Sequence, residues 1–101
     1  MKNTLILFMA LGVAAAAPAY ANADLAKSKN CMGCHAIDKK VLGPAFKEVA
    51  AKYATEKGVE ARLAAKIIKG GSGAWGQMAM PPNAVSEQEA LTLAKWVLAQ
   101  K

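Results

Sequence analysis

Cys31-Met32-Gly33-Cys34-His35 constrains this chain more than any other feature. It holds both cysteines and the only histidine among 101 residues. Two thiols separated by two residues, with an imidazole directly after the second, form the pattern that attaches haem covalently. Each thiol adds to one vinyl group, and the imidazole turns under the macrocycle to reach iron. Other uses of these side chains fit less well. A disulfide or thioredoxin-like redox pair suits an oxidising compartment but gives His35 no task. A structural zinc site needs four ligands, and only Cys31, Cys34 and His35 offer themselves. One haem c, covalent through Cys31 and Cys34, is therefore the expected cofactor.

Such a cofactor matters because the working domain is small. Residues 1–21 read as a secretory signal peptide and 22–101 as the domain. Lys2 supplies the positive start. The apolar run from Leu5 to Ala17 is short for a hydrocarbon core of ~30 Å, and Pro18 interrupts it. Ala19-Tyr20-Ala21 fits a small-x-small cleavage rule and places the cut before Asn22. Ala21-Asn22-Ala23 also fits and would place it before Asp24. The expectation is an exported, periplasmic protein with no membrane insertion after cleavage. The remainder is 101 − 21 = 80 residues, one thin-cored domain that a cofactor would complete.

Charge narrows the partners. The net charge is +6, or +5 once Lys2 is removed. Two ionised propionates would bring the holoprotein to about +3. Export and the lack of a dense Lys/Arg run argue against nucleic acid. An acidic protein surface is the better match.

Along the domain, Asp24 to Lys29 suits a short helix ending near Asn30, and Cys31 to Gly43 reads as irregular. Pro44 suits the first position of a helix carrying Phe46, Val49, Ala50 and Tyr53, which Gly58 would break. Val59 to Lys69 is amphipathic, with Leu63, Ala64 and Ile67 on one face. Residues 70–83 read as a long Gly- and Pro-rich loop carrying Trp75, Met78 and Met80; such a loop in a small domain is usually functional. Ser86-Glu87-Gln88-Glu89 is a capping box opening a helix to about Gln100, with Ala90, Leu93, Ala94 and Val97 on one face. No strand-like alternation stands out. The predicted class is all-α, with about four helices around one haem. Phe46, Val49, Leu63, Ile67, Leu93 and Val97 are the expected core, with Trp96 packing or at a partly exposed edge.

Electron carriage asks for a second axial ligand. With one histidine, bis-histidine ligation is excluded. A Met sulfur is the usual alternative and raises the reduction potential. Met32 is tethered on the His35 side by its flanking cysteines, leaving Met78 and Met80. Met80 is preferred because Pro81 biases it to an extended conformation and Pro81-Pro82 stiffens the segment behind it. The competing reading of either methionine is gap-filling in the core. Gly43-Pro44 can offer a carbonyl to the second His35 nitrogen. Trp75 can bond a propionate or simply pack, and Asn83 can donate to the Met sulfur. No catalytic acid–base pair accompanies the motif, so no enzyme activity is expected.

These residues taken together resemble a known family. Cys31–Cys34–His35, Gly43-Pro44, Gly73-Ala74-Trp75-Gly76, Met80-Pro81-Pro82-Asn83 and Leu93-Ala94-Lys95-Trp96 are similar to bacterial cytochrome c-551, also called c-552 or c8. The resemblance spans the domain. It implies a compact class I cytochrome c fold and a monomeric periplasmic carrier of single electrons. The implied redox partners are an electron donor and an acceptor such as a nitrite reductase or terminal oxidase. It implies Met80 as sixth ligand, Pro44 receiving the His35 N–H, Trp75 meeting a propionate and Asn83 approaching the Met80 sulfur. The family often carries a proline just before the ligand Met. Gln77-Met78-Ala79 stands there instead and keeps Met78 as a rival.

Overall fold

The computed structural model describes residues 19–101, so most of the expected leader lies outside the described residues. Helix α1 (Ala19–Ser28) leads through a 3-10 turn at Cys31–Gly33 to α2 (Phe46–Lys52) and α3 (Val59–Lys69). A ribbon of β1 (Gly71–Gly73) and β2 (Gly76–Met80) comes next, and α4 (Glu87–Leu98) closes the chain.

The last helix is the spine: it packs against α1, α2 and α3. Ala26, Phe46, Leu93 and Trp96 form one buried cluster, which joins α1, α2 and α4. Ala64, Ala90 and Ala94 form a second between α3 and α4, where small side chains let the two axes approach. Trp96 is buried and meets Phe46 edge-on, with ring centroids 5.4 Å apart. Leu63, Ile67 and Val97 of the expected core are only half-buried in the polypeptide. All three line a cavity between the helices and the ribbon, so part of their apolar surface is reserved for another occupant.

The capping box forms as the sequence predicts. The Ser86 hydroxyl accepts from the Glu89 N–H and the Glu89 carboxylate accepts from the Ser86 N–H, both at 3.0 Å. Helix α3 has the predicted bounds. Other boundaries differ. Helix α1 starts before Asp24, so the expected cleavage point falls in its first turn. Pro44 is not the first helical residue; Ala45 is the N-cap. The first two α2 donors, Phe46 N–H and Lys47 N–H, go to the carbonyls of Ala36 and Ile37, each at 2.9 Å. The loop ten residues upstream thus caps the helix in place of a capping side chain. Helix α2 ends at Lys52, with Tyr53 as C-cap, and Gly58 instead sits at the N-cap of α3 with φ +73°.

The largest departure is residues 70–83, read as a loop but folded in part as an antiparallel hairpin. Gly71 pairs with Met80 and Gly73 with Gly76, leaving Ala74-Trp75 as the turn. Glycines with φ between 108° and 132° supply the backbone states that ribbon and turn demand. Alternation of polar and apolar residues is the usual strand signal. Here the ribbon is exposed except at Met80, so no such pattern was required.

Candidate haem-binding site

His35 is fixed from three sides. Backbone bonds bring it there: its N–H donates to the Cys31 carbonyl at 3.0 Å, and Gly43 N–H donates to the Cys34 carbonyl at 2.7 Å. Its Nδ1 lies 2.8 Å from the Pro44 carbonyl, which can only accept, so Nδ1 is the donor. That tautomer leaves the Nε2 lone pair for a metal, the arrangement ligating histidines commonly show. The ring stacks on Phe46 with centroids 4.8 Å apart and planes 22° off parallel. Gly43 forms the third side. A Cβ there would sit 2.5–3.0 Å from three ring atoms, so only glycine admits the ring.

Cys31 and Cys34 are free thiols, both half-buried. Burial pushes the Cys31 thiol above its ordinary pKa, against a smaller lowering by its own backbone N–H. Desolvation of this kind keeps a thiol neutral and poorly suited to thiolate redox chemistry.

The second wall is the hairpin. Gly70, with φ +69° and ψ −161°, lets the chain cross directly over the Met80 carbonyl and the Pro81-Pro82 bond. A side chain on Gly70 would collide with that backbone. Met80 is half-buried, whereas Met78 is 68% exposed. Asn83 stands just behind the Met80-Pro81-Pro82 segment. Its Nδ2 donates to the Ile67 carbonyl at 3.0 Å and the Pro81 carbonyl at 3.3 Å, and its backbone N–H reaches the Ile67 and Ile68 carbonyls. These bonds serve carbonyls at the end of α3 that the helix leaves without a partner of its own. Asn83 clips the ligand segment to α3. Trp75 stands at the hairpin turn, 41% exposed.

The two walls enclose a cavity of about 690 Å³, within the range of small-molecule sites. Cys34, His35, Pro44, Trp75 and both Met78 and Met80 line it. Leu63, Ile67, Ala94 and Val97 form its apolar floor. One haem fits this site on four grounds: an apolar cavity, two free thiols on the motif at its edge, an imidazole with its outer nitrogen already satisfied, and thioethers on the other wall.

Comparison with known proteins agrees. The family model described as cytochrome c matches residues 15–101. This chain is a class I c-type cytochrome of the c-551/c-552 family. It is 63% identical over 78 residues to the cytochrome c-551 of Azotobacter vinelandii, covering 77% of this chain and 95% of that one. It is 50% identical over 95 residues to the cytochrome c-552 of Nitrosomonas europaea, covering 93% and 92%. The crystal structure of wild-type Nitrosomonas europaea cytochrome c552 superposes with TM-score 0.75 at 52% identity, covering 78% of this chain and 99% of that one. The cytochrome therefore carries one covalent haem c and works as a small haem c electron carrier. Gly70 shapes its site without carrying any chemistry that marks it in the sequence, and the close fit of Gly43 to the His35 ring was not legible there either. For Gly70 the one signal available was its position at the start of the Gly- and Pro-rich segment 70–83.

Proposed function

We propose that the mature protein is a soluble, monomeric, periplasmic single-electron carrier, comprising residues 22–101 after removal of a signal peptide at 1–21. Cys31 and Cys34 hold the haem, His35 and Met80 are its axial ligands, and Trp75 meets a propionate. The observation that carries this reading is the pair of walls. A histidine with Nδ1 already bonded and a half-buried methionine line one apolar cavity from separate elements.

Bound haem supplies a one-electron iron couple. The polypeptide does the rest. Pro44 fixes the His35 tautomer and ring angle through the 2.8 Å bond. The apolar floor excludes water and disfavours the more highly charged oxidised state, as does a neutral thioether ligand. Pro81-Pro82 and the Asn83 clip hold the Met80 segment in one place, so little rearranges when an electron arrives or leaves. His35 and Met80 would together hold the iron and leave no open position for a substrate, which favours a carrier over an enzyme.

The partner is a redox protein with an acidic face, a nitrite reductase or terminal oxidase on the receiving side. Lys27, Lys29, Lys39, Lys40, Lys66, Lys69 and Lys95 steer the encounter, and that steering weakens as salt rises. Val41 and Leu42, 47% and 56% exposed at the cavity lining, supply an apolar contact for a short-lived complex. Among the described residues no helix is long and apolar enough to cross a membrane. The 80 residues left after cleavage fit a relative that aligns over 78.

Spectra of the purified holoprotein test the ligand set. The oxidised protein should be low-spin with a weak near-infrared sulfur-to-iron band. Met80→Ala should abolish the band and lower the potential, while Met78→Ala should leave both in place. Retention of the band in Met80→Ala overturns the assignment. A wild type that lacks the band and binds carbon monoxide readily when reduced overturns the carrier reading in favour of a sensor.

A further inference from the structure

The hairpin that carries Met80 is weakly joined to the helices. Its strands pair with each other and neither packs extensively on a helix. Its base is tied at Gly70, whose N–H donates to the Lys66 carbonyl at 2.7 Å, and at Asn83. Its far end, the Ala74-Trp75 turn, meets the last turn of α2 through one side chain. Lys52 Nζ donates to the Ala74 carbonyl at 3.0 Å and lies 4.5 Å from the centroid of the Trp75 ring. It is also 5.7 Å from the Tyr53 ring.

The surroundings explain why this ammonium points at a carbonyl and two rings. Beneath the turn lies a groove of about 620 Å³ between α2, α3 and the hairpin. Lys52, Arg62, Lys66 and Lys69 line it, and among the described residues no carboxylate does. Arg62 has its own partner in Glu56 and lies over Tyr53. With no carboxylate lining the groove, Lys52 turns to the electron density of the indole face and the Ala74 carbonyl. Both belong to the hairpin turn. Trp75 lines the groove and the haem cavity alike, so it joins the Lys52 contact to the haem site.

We propose that Lys52 is a positioning residue that latches the ligand hairpin shut over the haem cavity. It touches neither haem nor iron and acts through Trp75 and the turn. The inference rests on Met80 being the sixth ligand. A cation over an exposed ring and a hydrogen bond from a charged donor each contribute modestly in water, together about five- to thirty-fold in the closing equilibrium.

The test uses the oxidised holoprotein with imidazole, which competes with the Met80 sulfur for iron. Lys52→Met keeps the apolar stem and removes the cation; Lys52→Arg keeps the cation. Lys47→Met, exposed on the same helix, makes the same charge change away from the turn. Lys52→Met should tighten imidazole binding about five- to thirty-fold and speed hydrogen exchange of the β1–β2 amides while α3 and α4 amides stay unchanged. Lys52→Arg and Lys47→Met should stay close to wild type. Equal imidazole affinity in Lys52→Met and Lys47→Met overturns the latch, as does faster exchange spread evenly over the protein. A wild type without the sulfur-to-iron band overturns the ligand reading itself; a wild type with the band beside an inert Lys52→Met removes the latch alone.

Discussion

The two walls of the haem cavity are built to different standards. The His35 wall is held by backbone bonds within the Cys31–His35 motif, a 2.8 Å bond to Pro44, a stacked Phe46 and a glycine that leaves no spare room. Phe46 in turn belongs to the buried cluster with Leu93 and Trp96, so the ring rests on the core itself. The Met80 wall is an exposed ribbon tied at its base by Gly70 and Asn83 and at its tip by Lys52. One wall can yield only if the domain unfolds. The other can open while the helices stay folded, because local opening requires only the loss of its few ties. Ligand exchange at this iron should therefore begin on the methionine side.

Two glycine substitutions would break or sharpen that contrast. Gly43→Ala is expected to have the larger effect on global stability. The new methyl group must displace the His35 ring, and the bond to Pro44 goes with it. Overpacking and a lost half-buried hydrogen bond together come to about 2–4 kcal/mol, read as a lower denaturant midpoint of the holoprotein at unchanged slope. Gly70→Ala meets backbone and carries the strain of a positive φ, a penalty of similar intrinsic size. The hairpin can escape it by lifting away, however. Global stability should fall by only about 1–2 kcal/mol, while imidazole or cyanide binds the oxidised protein more tightly. If Gly70→Ala lowers the unfolding midpoint as far as Gly43→Ala with no gain in ligand affinity, the two walls are equally part of the core and the contrast fails.

The smallest expected effect lies away from both walls and serves as their control. The Ser86 backbone N–H holds the Glu89 carboxyl below the usual carboxylate range; desolvation opposes it, and Lys29, 3.7 Å away, adds a lesser lowering. A depressed folded-state pKa stabilises fully above the unfolded carboxylate range, and that contribution is lost as pH falls through the folded value. Glu89→Gln should flatten the acid limb of the stability curve slightly and leave the sulfur-to-iron band untouched at every pH where the protein stays folded. A band that titrates with Glu89 would tie the α4 cap to the ligand wall and blur the division.

The chain itself determined the cofactor and most of the helical body. The Cys31–His35 motif, the capping box and the Val59–Lys69 helix are local chemistry, in which a few neighbouring residues suffice. The Pro44 carbonyl was legible for the same reason: it stands only nine residues from His35. Tertiary structure decided what depends on residues far apart. The 70–83 segment becomes a ribbon because its glycines allow one over the cavity, and Asn83 reaches the end of α3 across 16 residues of sequence. Lys52 reaches Ala74 across 22 residues of sequence, a meeting fixed only once α2, α3 and the hairpin surround a groove lined with cations. Hydrogen-bond donors and charges take the best partner that the folded chain brings within reach, and periodicity along the sequence carries no record of that choice.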